Sequence, residues 1–306
     1  MKTLLVPIDH TSAAEHTLAY ANKLAVRWPA EIVLLYCHPL DAVGAEPAAE
    51  LRAQEQRLRG LVERLRYQQL TRQNGRRIQY RYRVLAGCLH DHVQAEAAAC
   101  AADLVLMGLE HVDCGQAVAP GNHAATIAAL VSCPVLVVPA GWRSLPRRLV
   151  FSTDFDTLGL HLLPRLSGLA SAFPGALDLV QFYPRAARPR RRQLKQALGR
   201  AASQLTWLTI TEHLVEDEDP VEGISEYCAR TQAELLIIAP ATTAQLLHYF
   251  DQCYTQTRAY HTQIPVLVLR AAELPTSDAC CEHCQQRLAQ EATAVRLAVY
   301  PAASWV

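Results

Sequence analysis

The sequence has no net charge, no long apolar run and no common enzyme motif. Its 29 basic and 29 acidic side chains balance over 306 residues, so no long-range field favours nucleic acid or anionic lipid. The longest apolar stretches, 104–107 and 134–139, are far shorter than the about 20 residues of a membrane-spanning helix. The opening MKTLLVPID is too short for the apolar part of a secretion signal. We therefore expect a cytoplasmic protein without nucleic-acid or membrane partners.

Catalytic motifs are lacking as well. The chain has no P-loop Gly-Lys-Ser/Thr, no Gly-x-Ser-x-Gly turn and no His-Glu-x-x-His helix. No catalytic residue can be assigned, and we predict that the protein is not an enzyme. A weak ATPase activity stays open as an alternative.

The ten cysteines are irregularly spaced, and five of them (Cys37, Cys88, Cys100, Cys133 and Cys228) lie in apolar or Ala-rich segments, which predicts reduced, mostly packed thiols. A denser set near the carboxyl terminus comprises Cys280, Cys281, His283 and Cys284. It contains a Cys-x-x-Cys pair, as zinc and redox sites do, but four residues so close together cannot readily surround one tetrahedral ion. A metal or redox site and an adventitious thiol cluster both remain open, and no metal is assigned.

The chain contains two copies of one unit. KTLLVPID at 2–9 corresponds to RRLVFSTD at 147–154, an offset of 145 residues. ADLVLMG at 102–108 corresponds to the segment from residue 233, an offset of 131 residues. The difference, 145 minus 131, is 14 residues, so a single insertion in the first copy reconciles both offsets.

Each copy alternates short apolar runs with helical stretches, which predicts βαβ units and a parallel sheet. The predicted strands of the first copy are 3–8, 32–38, 77–85, 104–108 and 135–138, and its predicted helices are 12–28, 46–73, 89–101 and 122–131. The predicted strands of the second copy are 149–153, 177–183, 208–215, 235–239 and 266–269. We predict an α/β fold of two tandem doubly wound parallel five-stranded sheets.

The repeat also predicts the domain organisation. We expect a first domain at 1–140, a linker at 141–147, a degenerate second domain at 148–270 and a carboxyl-terminal extension of unknown role at 271–306. The last strands, 135–138 and 266–269, are apolar on both faces. We therefore predict that they pair with each other or across a dimer.

Four features of the first copy resemble the universal stress protein family. They are VPID at 6–9, Gly87 after the third strand, DLVLMG at 103–108 and CPVLVVP at 133–139. The resemblance covers nearly all of the first copy and, more weakly, the second. It implies an adenine nucleotide alpha hydrolase-like fold with the strand order 3-2-1-4-5 in each copy. It also implies a stress-response or regulatory role, and two copies that are related by a pseudo-twofold axis and look like a family dimer fused into one chain.

Nucleotide-binding members of this family carry Gly-x2-Gly-x9-Gly-Ser/Thr after the fourth strand, where glycines let the backbone approach phosphates at a helix start. The corresponding positions here are Gly108, His111, Gly121 and Asn122. Asp9, close behind Pro7, matches the family residue that meets the adenine ring. The resemblance thus implies a candidate site for ATP or AMP formed by Pro7, Asp9, Gly108, His111, Gly121 and Asn122.

The second copy keeps Asp154 but has no glycine in this motif, where it carries Ala239, Thr242, Gln252 and Cys253. No cofactor is expected there. A plainer interpretation stays open. In both copies the Asp accepts hydrogen bonds only within its own turn, and the glycines of the first copy only mark turns in loops.

Six histidines follow or begin elements at the carboxyl edge of the first predicted sheet: His10, His38, His90, His92, His111 and His123. We expect them to converge on one crevice, where imidazoles could bind a transition metal, hold phosphate or respond to pH. Their presence by chance on a half-wet rim stays open.

These observations predict a tandem universal stress protein with a regulatory role and an adenine nucleotide in its first domain. One alternative is a non-enzymatic dimerisation or interaction module that has lost nucleotide binding. Another is a metal or redox sensor that uses the histidine or cysteine cluster. Expected partners are the nucleotide, a second copy of the chain and an unidentified protein.

Overall fold

The computed structural model describes residues 1–39, 47–69, 78–113, 122–159, 161–250 and 260–270. These residues form an α/β structure around one ten-stranded sheet. Within them, no helix is both long and apolar enough to cross a bilayer.

The amino-terminal half alternates strands and helices. Its strands are β1 (Lys2–Pro7), β2 (Ala30–His38), β3 (Tyr80–Ala86), β4 (Leu104–Gly108) and β5 (Val135–Val138). Its helices are α1 (Ser12–Arg27), α2 (Pro47–Gln69), α3 (Leu89–Ala99) and α4 (Asn122–Leu130). Strands β4 and β5 are buried at every position because helices cover both faces of the sheet.

The carboxyl-terminal half repeats this alternation. Its strands are β6 (Arg148–Ser152), β7 (Ala176–Tyr183), β8 (Ile210–Glu216), β9 (Leu235–Ile238) and β10 (Val266–Val268). Its helices are α5 (Leu162–Gly168), α6 (Arg191–Gln204), α7 (Pro220–Thr231) and α8 (Thr243–Phe250), with short 3₁₀ helices at Arg185–Arg190 and Tyr260–Gln263.

The sheet runs in the order β3-β2-β1-β4-β5-β10-β9-β6-β7-β8. Each half therefore has the strand order 3-2-1-4-5 in its own numbering, and every pairing within a half is parallel. The two last strands, β5 and β10, pair antiparallel with Leu136 opposite Leu267. The predicted fold is confirmed, and the predicted pairing of the last strands occurs within one chain.

The core lies on both faces of the sheet and continues from one half into the other. One apolar cluster joins α1 and α2 to α5 and α6, as Leu18, Leu58, Leu166 and Leu198 show. The other joins α3 and α4 to α7 and α8, as Val93, Ile127, Ile224 and Phe250 show. Because both clusters cross the β5–β10 pair, the halves share their most buried apolar surface.

Candidate functional site

Asp9 lies just after β1 at the carboxyl edge of the amino-terminal half, and its carboxylate is enclosed by its own chain. The residue is 7% exposed. Oδ1 accepts hydrogen bonds from the backbone N–H and the hydroxyl of Thr11, and Oδ2 accepts one from the N–H of Val112 at 2.7 Å. Thr11 in turn caps α1. Asp9 therefore ties the start of α1 to the segment that follows β4.

His111 packs against this carboxylate. Its Nδ1 is 3.5 Å from Asp9 Oδ2, and the residue is nearly fully buried. Burial lowers the pKa of His111, although the negative charges of Asp9 and Asp113 act in the opposite direction. The family motif has a glycine at this position, so an imidazole here occupies space that a glycine leaves free.

Asp113 organises the start of α3. Its carboxylate accepts hydrogen bonds from the N–H groups of Leu89 at 2.7 Å and His90 at 3.3 Å. The residue at the cap position, Cys88, makes no side-chain capping bond. A remote acid thus supplies the acceptor that the start of a helix needs.

Two further histidines adjoin Asp113. His90 Nδ1 is 3.2 Å from Asp113 Oδ2, and His90 Nε2 is 3.3 Å from His123 Nδ1. All three residues are almost fully buried. His123 Nε2 is buried and has no hydrogen-bond partner among the described residues.

The structure brings some of the six predicted histidines together and separates others. His90, His111 and His123 meet around Asp9 and Asp113. His10 and His38 form a second group on either side of Tyr36, and His10 also hydrogen-bonds Gln54 on α2. His92 is not part of either group, because its Nε2 donates to the carbonyl of Ala86.

The other predicted site residues are only partly described. Pro7 ends β1 and is buried. Gly108 ends β4, where an added Cβ would lie 3.1 Å from Thr17 Oγ1. Asn122 begins α4. Gly121 and the tail set Cys280, Cys281, His283 and Cys284 lie outside the described residues.

The cysteines differ from the expectation in one place. Cys88 is disulfide-bonded, whereas we expected reduced thiols throughout. The remaining described cysteines are free: Cys37, Cys100, Cys133 and Cys228. Burial raises the pKa of Cys133 to about 11 and that of Cys228 to about 12, so these two thiols are weak nucleophiles near neutral pH.

The corresponding edge of the carboxyl-terminal half is simpler. Asp154 is exposed, and its carboxylate accepts hydrogen bonds from Asp156 N–H at 3.1 Å, Thr157 Oγ1 at 3.0 Å and Gln181 Nε2 at 2.8 Å. Ala239 follows β9, and Thr242 accepts from the N–H of Gln245 at the start of α8. Gln252 and Cys253 lie outside the described residues.

Sequence reasoning missed two residues at the carboxyl edge of the amino-terminal half. Asp113 lies in the segment assigned to a phosphate loop, and Gln54 lies on α2. The only sequence signal for Asp113 was an acidic residue five positions after the end of a buried strand. Such a residue needs hydrogen-bond donors nearby if it is itself buried. Nothing in the local sequence indicated Gln54.

The sheet and its two carboxyl edges define a tandem α/β protein of the adenine nucleotide alpha hydrolase-like class. Residues 1–139 match the sequence model of the universal stress protein family. The amino-terminal half of the chain is therefore similar to this family, and the carboxyl-terminal half repeats the fold.

Solved structures share the architecture of nearly the whole chain. A universal stress protein from Archaeoglobus fulgidus DSM 4304 has a TM-score of 0.61 at 13% identity, covering 89% of this chain and 97% of its own. A functionally unknown protein from Pseudomonas aeruginosa PAO1 has a TM-score of 0.57 at 14% identity, covering 95% and 98%. No curated protein matches the chain in sequence.

Proposed function

We propose that this protein is a non-catalytic regulatory member of the universal stress protein family that works as an interaction module and holds no adenine nucleotide in the family manner. The observation that carries this proposal is that the acceptor positions of the Asp9 carboxylate are largely occupied by hydrogen bonds within the chain. This carboxylate, which the family resemblance assigns to the adenine ring, already accepts hydrogen bonds from Thr11 and Val112.

A carboxylate has about four acceptor positions. Three of those on Asp9 are already used while His111 packs against Oδ2, so an adenine ring would compete with these partners. A hydrogen bond to a charged group contributes about 1.5–3 kcal/mol, and a buried group left without its partner costs about 1–3 kcal/mol. A nucleotide would also meet the imidazole of His111 where the family has a glycine. Both effects oppose the family mode of binding in the amino-terminal half.

The carboxyl-terminal half supports the same proposal. The Asp154 carboxylate accepts hydrogen bonds from its own turn and from Gln181. This is the plainer role that the sequence left open for both acids. The segment that follows β9, residues 239–259, has no glycine from which a phosphate loop could be built. We infer that this half contributes surface and stability rather than a ligand site.

A second candidate function is the binding of ATP or AMP by the amino-terminal half. Gly108 ends β4 without a side chain, and α4 begins at the same edge with Asn122. The free N–H groups and the dipole of a helix start favour a phosphate. In this candidate Pro7, Asp9, Gly108, His111, Gly121 and Asn122 would surround the nucleotide.

The predicted homodimer belongs to the proposal as well. Because β5 and β10 pair inside the chain, a second copy would need another surface. The outer edges of the sheet are β3 and β8. Light scattering coupled to size exclusion would give the mass in solution and thereby test the dimer.

Mass spectrometry of small molecules released from freshly purified protein tests the main proposal, together with thermal unfolding in ATP and in AMP with Mg²⁺. We expect no released nucleotide and no shift in Tm. A ligand at 100 times its Kd adds about 2.7 kcal/mol of stability, which raises Tm by about 4 °C in a chain of this size.

The matched variants for this test are Asp9→Asn and Asp154→Asn. If a nucleotide is released, or if ATP raises the Tm of the wild type and of Asp154→Asn but not that of Asp9→Asn, the second candidate replaces the first.

A further inference from the structure

We propose that His90, Asp113 and His123 form a binding site for one divalent transition-metal ion, of which Zn²⁺ is the representative. Each residue offers a ligand atom, and the three atoms lie within 4.8 Å of one another. The residues are 3%, 5% and 3% exposed. The site lies at the carboxyl edge of the amino-terminal half and joins the starts of α3 and α4 to the segment after β4.

The spacing of the two imidazoles suits a shared ion. His90 Nε2 and His123 Nδ1 are 3.3 Å apart. Two nitrogens that bind Zn²⁺ at about 2.0–2.1 Å with a tetrahedral angle are separated by about 3.3–3.4 Å. The rings can therefore bind one ion with little rearrangement.

Asp113 fixes the tautomer that such a site needs. Its Oδ2 is 3.2 Å from His90 Nδ1, so the carboxylate accepts the proton on Nδ1 and leaves the lone pair of Nε2 for an ion. Metal-binding histidines commonly donate their second N–H to a carboxylate in this way. Asp113 would bind the ion directly only by giving up this contact with His90 Nδ1, and water would complete the coordination.

Hydrogen bonding alone does not account for the histidine pair. If His90 donates from Nδ1 to Asp113, His123 Nδ1 must donate to His90 Nε2. His123 Nε2 is then a buried acceptor, and it has no donor among the described residues. Buried polar atoms are satisfied in the great majority of cases, so the hydrogen bonds of this histidine pair are incomplete within the described residues.

The local charge also favours a cation. Asp9 and Asp113 are buried carboxylates 7% and 5% exposed, and their ion-pair partners among the described residues are histidines rather than lysine or arginine. Buried charges are normally paired or bound to metal. A divalent ion would offset both carboxylates without a basic side chain.

The carboxyl-terminal half provides an internal comparison. By the repeat, Val221, Ala244 and Tyr254 stand where the first half has His90, Asp113 and His123. None of these three is a normal ligand for Zn²⁺. The site is therefore confined to the amino-terminal half.

The test is titration of the full-length, EDTA-treated protein with Zn²⁺ by calorimetry, and with Co²⁺ by absorption spectroscopy. The key variant is His123→Gln. The matched control is His92→Gln, which changes a histidine on α3 outside the site. A variant with Cys280, Cys281 and Cys284 changed to Ser removes the tail thiols as a competing site.

We expect one equivalent of Zn²⁺ to bind the wild type, the tail variant and His92→Gln with equal affinity. His123→Gln should weaken binding by about 100-fold or more, since even residues that only support a ligand are worth about 10–100-fold. The Co²⁺ spectrum of the tail variant should match that of the wild type, because imidazole and carboxylate rather than thiolate bind the ion.

The absence of binding, binding that His123→Gln leaves intact, or binding that disappears with the tail cysteines would each overturn the proposal. Far-UV circular dichroism of His123→Gln checks that the variant folds, and His90→Gln serves as a second ligand variant. Neither readout depends on a nucleotide, so this test and the nucleotide test can fail separately.

Discussion

The two halves of the sheet have the same strand order but different chemistry at their carboxyl edges. In the amino-terminal half, Asp9 and Asp113 are buried and surrounded by His90, His111 and His123. In the carboxyl-terminal half, Asp154 is exposed and serves its own turn. The interiors of the two halves are alike, so the difference lies in the residues that follow the strands.

This comparison shows which positions a repeated fold holds fixed. The strands must be apolar because they are buried on both faces, whereas residues beyond the strand ends contact loops and ligands and are free to differ. The helix caps illustrate this freedom. Asp219 caps α7 from its own chain segment, while the equivalent position before α3 is Cys88 and the cap comes from Asp113.

The largest expected effect concerns the junction of the two halves. Leu136→Ala and Leu267→Ala should each lower the free energy of unfolding by about 2–5 kcal/mol, since both fully buried side chains leave cavities. Because the two residues are directly opposite, their effects should not be additive in the double variant. Urea unfolding measures the three values.

The control for the junction is Leu208→Ala, because Leu208 is fully exposed and its loss should change stability little. Two separate unfolding transitions, only one of them shifted by Leu136→Ala, would show that the halves are independent rather than joined by a shared core.

The next effect compares the two equivalent acids. Asp9→Ala should cost about 2–4 kcal/mol, because it leaves the N–H groups of Thr11 and Val112 without their acceptor. Asp154→Ala should cost less than about 1 kcal/mol, because water replaces the acceptor at an exposed turn. Thermal and urea unfolding in EDTA measure both. Equal losses for the two variants would contradict the contrast between the edges.

The smallest effect compares a remote cap with a local one. Asp113→Ala and Asp219→Ala should each cost about 1–2 kcal/mol, as expected for the loss of a helix cap. Hydrogen exchange should show faster exchange in the first turn of α3 and α7 respectively. Asp219→Ser keeps a capping oxygen and is the control. If Asp113→Ala leaves exchange in α3 unchanged, the remote cap does not stabilise that helix.

Much of the fold was predictable because strands buried on both faces appear in the sequence as short continuous apolar runs. The predicted strands 104–108 and 135–138 agree with β4 and β5 as observed. Helix ends were predicted less well. The predicted helix 89–101 ends at Ala99, because Ala101 has a left-handed backbone with φ of 49° that no glycine or proline announces.

The site was predictable only in outline. The six histidines all lie at strand or helix ends, so sequence reasoning placed them at one edge. It could not separate His92 from His90, because the direction of each side chain depends on its helix and on the carbonyl of Ala86. It also missed Asp113, whose role comes from contacts with residues 23 and 24 positions earlier.

The sequence by itself determined the repeated α/β unit and the loss of glycines in the second copy, because these follow from local hydrophobic patterns and residue identity. Only the tertiary structure decided that β5 and β10 pair within the chain, that Asp9 is occupied by its own backbone, and that His90, Asp113 and His123 meet. The physical reason is that these features depend on contacts between residues far apart in the chain, and no local pattern encodes such contacts.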